Sequence, residues 1–513
     1  MLNARCLSGG LPFFAALLCS AVAYPASPIL TAIEPHGGQR GAELEVSFVG
    51  DRLSDAQEIL FYYPGIELLK IEKAEDREVK CRLKIAADCR LGEHAMRVRT
   101  ATGISDLRAF YVGALPAVAE QEPNNDISSP QKIDLNVTVN AIGDREDIDY
   151  YQVAAKKGQP LVVEIEAMRL GNAIFDPVVA IFDSEQTELI TADDTPLAWQ
   201  DAVAAIVAPK DGNYTIAVRE SSYAGSRSAA YRLHVGTFPR PLAAYPAGGK
   251  LGDQVDVRFV GDAAGELTQT IKLPAVADPR FGLFAQSDRG ISPSPVGFRL
   301  SEVGNVLEAE PNNAQKEATS AELPLALNGV ISSAGDVDYF HFKAAKGTVY
   351  DVQCYARRLR TPLDPVLAIE RIGGGTIAGN DDGAGLDAVQ RFTAPADGEY
   401  AIRVTDQLGR GGPEYVYRIE FAPVQPTLTL SVPKTGRYTQ ERQVATVPRG
   451  NRFAFLVTAS RTNFSGDLLF GAAGLPAGVT VSADTLPANV NAVPVLFEAA
   501  ADAPVAGTLS KLT

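Results

Sequence analysis

Apolar and polar residues alternate with a period of two along most of this chain of 513 residues. The alternation is clear in the runs Leu44-x-Val46-x-Phe48, Leu161-x-Val163-x-Ile165, Tyr231-x-Leu233-x-Val235, Tyr400-x-Ile402-x-Val404 and Tyr417-x-Ile419-x-Phe421. Because successive side chains of a strand point to opposite faces, this pattern predicts strands with one buried face. Gly (45) and Pro (33) punctuate the runs, and helical periodicity is scarce. The sequence predicts an all-β fold of tandem antiparallel β-sandwiches.

A long internal repeat divides the chain. The string Glu-x-Glu-Pro-Asn-Asn occurs at Glu120–Asn125 and again at Glu308–Asn313, an offset of 188 positions (308 − 120). Asp176-Pro177-Val178 and Asp364-Pro365-Val366 are related by the same offset. The repeat predicts two copies of one larger module.

A shorter repeat precedes each copy of the larger one. Residues 35–51 and 246–262 share nine of seventeen positions, beginning with Pro-x-Gly-Gly and ending with Phe-Val-Gly-Asp. The chain is therefore predicted to be a tandem of two composite units, each a small sandwich followed by a larger one. Pro35 to Glu120 spans 85 positions, whereas Pro246 to Glu308 spans 62. The second small module is thus expected to be a partial fold that packs against its neighbouring domains.

The repeated Glu-x-Glu-Pro-Asn-Asn string carries candidate metal chemistry. About twenty-five residues later, each copy has an acidic turn that runs into aromatic residues, at Asp144–Tyr151 and at Asp336–Phe340. The oxygen ligands of the string, together with the two or three carboxylates of the acidic turn, suit a hard cation such as Ca²⁺. Taken alone, Glu-Pro-Asn-Asn is more typical of a solvated linker. Two copies at one offset, each with its acidic turn, favour Ca²⁺ at both.

Charge and composition exclude some partners. The formal net charge is −15 and the pI near 4.9, so binding to nucleic acid, which rewards clustered Lys and Arg, is not expected. Residues 1–23 are predicted to be a signal peptide, because Arg5 precedes an apolar stretch, Leu11–Val22, and Ala21-Val22-Ala23 fits a cleavage site. No later segment has the length of a transmembrane helix. The mature chain is expected to be exported, to the periplasm, the cell surface or the extracellular space.

The larger repeat resembles the bacterial pre-peptidase C-terminal (PPC) domain, a β-sandwich with jelly-roll-like topology. The residues that carry the resemblance are the Glu-x-Glu-Pro-Asn-Asn string, the Asp-x-Asp-Tyr-aromatic turn, Asp-Pro-Val, Asp-Asp and a late Asp-Gly-x-Tyr. The smaller repeat resembles the immunoglobulin-like IPT/TIG domain through its Pro-x-Gly-Gly opening and Phe-Val-Gly-Asp strand end. In PPC relatives that bind Ca²⁺, the string and the turn hold the ion.

Carried over residue by residue, the resemblance implies two sets of metal ligands. The first set is Glu120, Glu122, Asn124, Asn125, Asp147 and Asp149. The second set is Glu308, Glu310, Asn312, Asn313, Asp336 and Asp338. The first turn departs from the family pattern through its extra acids Asp144 and Glu146, which leaves open which of its carboxylates face the ion.

The repeats and the resemblance together predict the domain boundaries. They are an Ig-like (IPT/TIG-like) domain at 24–115, a PPC-like domain at 116–237, a short Ig-like repeat at 238–306, a second PPC-like domain at 307–424 and a β-rich C-terminal domain at 425–513. The last domain has no clear closing strand before Thr513, so it is expected to be incomplete or the chain a fragment.

Three cysteines remain after removal of the signal peptide. Cys81 and Cys89 lie close in sequence, and a disulfide between them is compatible with an oxidising compartment. Two separate reduced thiols in the core are the equal alternative, since free Cys is often buried. Cys354 is expected to be a core residue.

No grouping of catalytic residue types is visible. The four histidines are scattered without metal-binding spacing, and no Gly-x-Ser-x-Gly elbow occurs. The sequence therefore favours a non-catalytic exported protein that adheres to extracellular protein or polysaccharide. Candidate aromatic platforms for a sugar are Trp199, Tyr62-Tyr63 and Tyr223, although Tyr in a sandwich is usually a core residue with its hydroxyl at the rim. The alternatives are an accessory region of a larger secreted hydrolase or peptidase, and an envelope spacer.

Overall fold

The computed structural model of the protein describes residues 27–171, 173–383, 385–432 and 444–513. The predicted signal peptide, residues 1–23, lies outside the described residues. The described chain is built from β-strands and four short 3₁₀ helices, Met168–Leu170, Pro196–Ala198, Gln315–Glu317 and Arg357–Leu359. The all-β prediction is confirmed.

The first small sandwich packs two four-stranded sheets, ordered β1-β3-β6-β5 and β2-β8-β7-β4. Its strands are β1 (Ile29–Glu34), β2 (Gly37–Gln39), β3 (Glu43–Asp51), β4 (Ala56–Phe61), β5 (Ile66–Ala74), β6 (Glu78–Ile85), β7 (Gly92–Thr100) and β8 (Arg108–Gly113). Alternation along β6 buries Val79, Cys81 and Leu83 against the opposite sheet. The period-two pattern in the sequence is thus the pattern of core contacts.

The first large sandwich packs two five-stranded sheets, ordered β10-β12-β17-β14-β15 and β16-β13-β18-β11-β9. Its strands are β9 (Ala117–Ala119), β10 (Gln131–Lys132), β11 (Val137–Ile142), β12 (Asp149–Ala155), β13 (Pro160–Glu166), β14 (Pro177–Phe182), β15 (Glu188–Ala192), β16 (Val203–Val207), β17 (Gly212–Glu220) and β18 (Ala230–Gly236). The core between the sheets includes Val139, Val163 and Leu233.

The second small unit is reduced to a three-stranded sheet, β19-β21-β22, and short two-stranded pairs. Its strands are β19 (Ala243–Tyr245), β20 (Gly248–Lys250), β21 (Gln254–Val260), β22 (Leu267–Lys272), β23 (Gly282–Leu283), β24 (Gln286–Ser287), β25 (Gly290–Ile291), β26 (Val296–Gly297) and β27 (Arg299–Ser301). Leu197 of the first large sandwich is part of its core, together with Val257 and Phe259. The core of this unit is therefore completed by an apolar side chain of the neighbouring sandwich.

The second large sandwich repeats the strand order of the first, with sheets β29-β31-β36-β33-β34 and β28-β30-β37-β32-β35. Its strands are β28 (Asn305–Leu307), β29 (Thr319–Ala321), β30 (Ala326–Val330), β31 (Asp338–Ala344), β32 (Val349–Tyr355), β33 (Pro365–Arg371), β34 (Thr376–Asn380), β35 (Val389–Thr393), β36 (Gly398–Asp406) and β37 (Val416–Pro423). Each strand has a counterpart in the same place in the first large sandwich.

The C-terminal unit contains a four-stranded sheet, β38-β39-β42-β41, and a separate pair, β40-β43. Its strands are β38 (Thr427–Ser431), β39 (Arg452–Thr462), β40 (Ala472–Ala473), β41 (Val479–Ala483), β42 (Ala492–Ala499) and β43 (Lys511–Leu512). Val457, Val495 and Phe497 lie in its small core.

Some edge strands differ from the purely antiparallel prediction. In the first large sandwich, β9 pairs in parallel with β11, and β10 pairs in parallel with β12. The counterparts β28 with β30 and β29 with β31 are also parallel. The reason is that the chain crosses to the opposite sheet between the two paired strands and returns in the same direction. Period-two alternation alone does not reveal that crossing.

Buried arginines join each small unit to the large sandwich that follows it. In the first pair, the space beside Gly37 of the small sandwich is filled by the guanidinium of Arg232, which donates a 2.6 Å hydrogen bond to Glu166. In the second, Arg418 lies against Gly248 and donates to Glu420 at 2.8 Å. A side chain on either glycine would collide with the arginine. The first glycine of the Gly-Gly pair thus gives the arginine room to dock, whereas the second, Gly38 or Gly249, faces the core of its own small unit.

Candidate metal centres

The first acidic cluster forms where the linker after β9 meets the beginning of β12. Glu120 directly follows β9, Glu122 precedes Pro123 through a cis peptide bond, and Asp149 is the first residue of β12. One carboxylate oxygen of each of these three residues lies within 4.8 Å of the other two. Asp149 joins the group because it occupies the buried face of β12 that Tyr151 also occupies.

The second acidic cluster has the same construction. Glu308 directly follows β28, Glu310 precedes the cis peptide bond to Pro311, and Asp338 begins β31. Their carboxylate oxygens again lie within 4.8 Å of one another. The structure therefore brings together three of the predicted acids in each repeat.

Main-chain hydrogen bonds hold the linker on its sandwich in the same way in both copies. The amide of Tyr150 donates to the carbonyl oxygen of Asn124 at 3.0 Å, and Tyr339 donates to Asn312 at 3.0 Å. The carboxylate of Glu120 accepts from the Ile142 amide at 3.0 Å. Both oxygens of Glu308 accept from the Val330 amide, at 2.9 and 3.0 Å. The first glutamate of each string is thus fixed by the strand beside it.

Buried tyrosines reach each cluster from the opposite sheet. The hydroxyl of Tyr231 donates to Asp149. In the second copy, Tyr417 donates to Asp338 at 2.6 Å. The first copy adds the hydroxyl of Tyr151, which donates to Glu120 at 2.7 Å. In the second copy, the position equivalent to Tyr151 is occupied by Phe340, which has no hydroxyl. The second cluster therefore has one hydrogen-bond donor fewer.

The pKa values of the clustered acids are displaced upward. Burial, followed by the charge of Glu120, raises the pKa of Asp149 to about 9. Burial, followed by the charge of Asp338, raises the pKa of Glu308 to about 9. Burial also raises the pKa of Asp338 to about 7, against the hydrogen bond from Tyr417. Carboxylates placed this closely repel each other unless protons or a cation neutralise them.

An unsatisfied amide lies beside the second cluster. Asn312 is fully buried, and neither its side-chain oxygen nor its side-chain nitrogen has a hydrogen-bond partner. Oδ1 of Asp338 is buried without a partner as well. Buried polar groups are normally paired, and a buried group without a protein partner is a candidate ligand for water or an ion. The donor set is all oxygen, which fits Ca²⁺.

The other predicted ligands lie outside the three-acid groups. The side-chain amide of Asn125 donates to Asp147 at 2.5 Å. Asp336 accepts bonds from the amide and hydroxyl of Ser332 at 2.7 and 2.8 Å. With its amide turned, Asn313 donates to Asp336 at 2.8 Å. Participation of these four residues in metal binding stays a prediction.

The sequence interpretation did not assign the tyrosines to the site. Tyr231 and Tyr417 were visible only as apolar members of alternating strands, 82 and 79 residues from the aspartates that they contact. The signal in the sequence is their equivalence, because each is the second residue of the last strand of its repeat and carries a hydroxyl.

Cysteine chemistry plays no part in these centres. Cys81, Cys89 and Cys354 are buried free thiols, so the structure contains the reduced alternative and not the Cys81–Cys89 disulfide. Cys81 faces the core from β6, whereas the sulfur of Cys89 lies 3.7 Å from Nε2 of His94. The thiols of Cys81 and Cys89 thus contact different residues.

No helix in the part of the chain described by the structure is both long and apolar enough to cross a membrane. No family model matches the chain. Over 99 residues it is 33% identical to a probable subtilase-type serine protease of Deinococcus radiodurans, a match that covers 19% of this chain and 14% of that protein.

Solved structures give more distant similarities. The pre-peptidase C-terminal domain of collagenase from Bacillus anthracis matches with 18% identity and a TM-score of 0.18, over 22% of this chain and all (100%) of that one. The protein SGBP-B of a mixed-linkage glucan utilization locus in Bacteroides ovatus matches with 10% identity and a TM-score of 0.16, over 75% of this chain and 71% of that one. The chain is an all-β protein that is similar, over about a fifth of its length, to a small part of a probable subtilase-type protease.

Proposed function

We propose that this chain is an exported, non-catalytic protein whose two large sandwiches each bind Ca²⁺ and which adheres to, or is presented on, extracellular protein or polysaccharide. The observation that carries the metal proposal is the convergence of three carboxylates at equivalent places in both repeats. The unpaired amide of Asn312 beside the second group supports it independently.

The residues that would hold the ion are Glu120, Glu122 and Asp149 in the first copy and Glu308, Glu310 and Asp338 in the second, with Asn124 and Asn312 as buried neutral neighbours. Ca²⁺ would neutralise carboxylates whose pKa values are otherwise raised by burial and mutual repulsion. The ion would also tie the linker to its sandwich, since two of the three acids in each copy belong to the linker. This role is structural, and it would set the orientation of each sandwich relative to the preceding unit.

Calorimetric titration of the full chain with Ca²⁺ tests the proposal. We expect two ions per chain, one for each cluster. Asp149→Asn and Asp338→Asn should each remove one ion and leave the other. The exposed Asp193→Asn serves as the matched control and should leave both. Fewer than one ion per large sandwich in the unaltered protein contradicts the assignment.

A second candidate function has a specific observation in its favour. The similarity to a probable subtilase-type protease suggests that this chain is the accessory region of a larger secreted hydrolase. Sequencing of the genomic DNA on both sides of the coding segment distinguishes the two, because a peptidase domain in the same reading frame would favour the accessory role. The Ca²⁺ proposal holds in either case, since both assign the sandwiches a non-catalytic part.

A further inference from the structure

Two large side chains meet where the two large sandwiches approach each other. The guanidinium of Arg360 lies over the indole ring of Trp199. Trp199 follows the 3₁₀ helix Pro196–Ala198 of the first large sandwich, and Arg360 follows Arg357–Leu359 of the second. Each residue therefore ends a short helix in a different repeat.

Both residues have a backbone conformation that favours glycine. Trp199 has φ 65° and ψ −114°, and Arg360 has φ 72° and ψ 21°. The counterpart of Arg360 in the first repeat is Gly171, with φ 69° and ψ 18°. The counterpart of Trp199 in the second repeat is Gly385, with φ 82°. At both positions the residue that contacts the other repeat is bulky, whereas its counterpart is a glycine.

The correspondence between the repeats is anchored by a pair of buried aspartates. Asp201 accepts from the amide of Met168 at 2.8 Å, and Asp387 accepts from the amide of Arg357 at 2.8 Å. Trp199 and Gly385 each lie two residues before that aspartate. Non-glycine residues at positive φ are strained, and such strain is often found at functional sites. The backbone itself does not require tryptophan or arginine here.

The exposure of the pair suits ligand binding better than simple packing. Trp199 is 62% exposed although it is the largest aromatic side chain in the protein. Arg360 is half-buried, and within the described residues no carboxylate lies within 4.0 Å of it to form an ion pair. A guanidinium that lies over an aromatic ring can still donate from its N–H groups to an anion. An aromatic platform and an unpaired cation are thus presented together.

A small cavity adjoins the pair. Its volume is about 110 Å³, and its walls include Thr195 and Leu197 of the first large sandwich, Leu242, Arg360 and Glu414. Three units of the chain meet there, so the cavity exists only when they are docked. Thr195 and Glu414 supply a hydroxyl and a carboxylate that can bond to the hydroxyl groups of a ligand.

We propose that Trp199 and Arg360 form a binding site for an acidic polysaccharide. The apolar face of a pyranose ring stacks on the indole, and a carboxylate or sulfate of the polysaccharide accepts hydrogen bonds from the guanidinium. This inference rests on the proposed function, because it assigns the partner of the adhesive protein to one chemical class and places it at one site. The Ca²⁺ centres are not part of this site.

The protein contains a built-in reporter, since Trp199 is its single tryptophan. With Ca²⁺ present, the full chain is titrated with oligogalacturonate, a sulfated carrageenan oligosaccharide and a neutral cello-oligosaccharide while tryptophan emission is recorded. We expect a saturable change, with protection from acrylamide quenching, for at least one acidic oligosaccharide. The carboxylated and sulfated ligands identify which anionic group is preferred. No response to either acid, or an equal response to the neutral sugar, overturns the proposal.

Three variants separate ligand binding from structural packing, with affinity measured by calorimetry. Trp199→Gly and Arg360→Gly install the residue that the other repeat uses, so the fold should be retained. Each should weaken binding of the acidic oligosaccharide about tenfold or more. Leu469→Ala is the control, because Leu469 is a large apolar side chain that is 81% exposed but lies in the C-terminal unit, away from the pair.

Unchanged affinity in the two glycine variants, with or without lost stability, would make the pair a mere contact between sandwiches and refute the site. Ca²⁺ stoichiometry is measured in the same preparations. Two bound ions without any oligosaccharide binding would defeat this inference alone and leave the metal centres in place. Oligosaccharide binding without bound Ca²⁺ would defeat the metal assignment instead.

Discussion

The hydroxyl of Tyr417 donates a 2.6 Å hydrogen bond to the carboxylate of Asp338, and both side chains are buried. The bond joins β37 of one sheet to β31 of the other across the core of the second large sandwich. Tyr417 thereby orients Asp338, one of the three clustered acids, although it is not an acid itself. In this way the sandwich core determines the geometry of the centre at its edge.

Tyr417→Phe should weaken Ca²⁺ binding at the second centre. Loss of a hydrogen bond that orients a metal ligand typically costs about 10- to 100-fold in affinity. Calorimetry measures the change, and the first centre should be unaffected. Tyr400→Phe is the matched control, since Tyr400 is equally buried but donates to the carbonyl of Ala396. An equal loss in both variants would indicate a general effect on the fold.

Chelation should lower the melting temperature and the protease resistance of the unaltered protein. The variant Asp338→Asn should be more stable than the unaltered protein when no metal is present. The reason is that the substitution removes a buried carboxylate that repels Glu308. The same variant should gain less from added Ca²⁺ than the unaltered chain. Scanning calorimetry with EDTA and with Ca²⁺ checks both. Identical melting temperatures in the two buffers would contradict Ca²⁺ binding.

The metal-free protein should lose stability as pH rises between about 4 and 9. Unfolded Asp and Glu titrate near pH 4, whereas the folded pKa is about 9 for Asp149 and Glu308 and about 7 for Asp338. In that window the folded state binds more protons than the unfolded state, so the stability slope is negative, at most about 1.4 kcal/mol per pH unit for each group.

Ca²⁺ should remove this pH dependence, because the ion replaces the protons and releases them on binding. Denaturant unfolding at several pH values, with EDTA or Ca²⁺, measures both slopes. Calorimetric binding enthalpies in buffers of different ionisation enthalpy count the released protons. A flat profile in EDTA would show that the clustered acids are not protonated in the folded state.

Arg232→Ala should be strongly destabilising. The side chains of Arg232 and Glu166 are only 5% and 8% exposed, and removal of Arg232 leaves the buried carboxylate of Glu166 without its arginine partner. The expected cost is about 3–5 kcal/mol. Arg452→Ala is the control, because the Arg452–Glu498 pair is 63% and 50% exposed and should contribute less than about 1 kcal/mol. Urea denaturation compares them; similar costs would argue against a special role for the junction.

The cysteines should be free but unreactive in the folded protein. Burial raises the pKa of Cys81 to about 12, and it also raises the pKa values of Cys89 and Cys354. Since the thiolate is the reactive species, alkylation at neutral pH should be slow until denaturant is added. Mass spectrometry of tryptic peptides should then find all three labelled. A labelled Cys354 with Cys81 and Cys89 unlabelled would establish the disulfide.

The sequence was sufficient for the all-β class, and the three acids that converge in each repeat are among the six ligands predicted there, but the sequence did not single them out. Period-two alternation follows directly from strand geometry, and Glu120, Glu122 and Asp149 were marked by their recurrence as Glu308, Glu310 and Asp338. The tyrosine donors could not be assigned, because their partners are some eighty residues away and depend on which strands face each other. The parallel edge strands were missed for the same reason.

The Trp199–Arg360 pair shows a second limit of prediction from the sequence. Neither residue is repeated, so a comparison that searches for identity between the two copies passes over both. Their significance depends on the backbone angles that Gly385 and Gly171 adopt in the other copy. Differences between repeats become informative only when the conformation at each position is known.

Leu197 belongs by sequence to one sandwich and by packing to the next unit. Cutting the chain between these two parts would therefore leave a hole in the second small unit and an unprotected leucine on the first large sandwich. On heating, we expect the second small unit to lose its packing as soon as the first large sandwich unfolds, because Leu197 completes the core of the small unit. Deletion of the first large sandwich would therefore damage the unit that follows it, although the sandwich itself has a full core of its own.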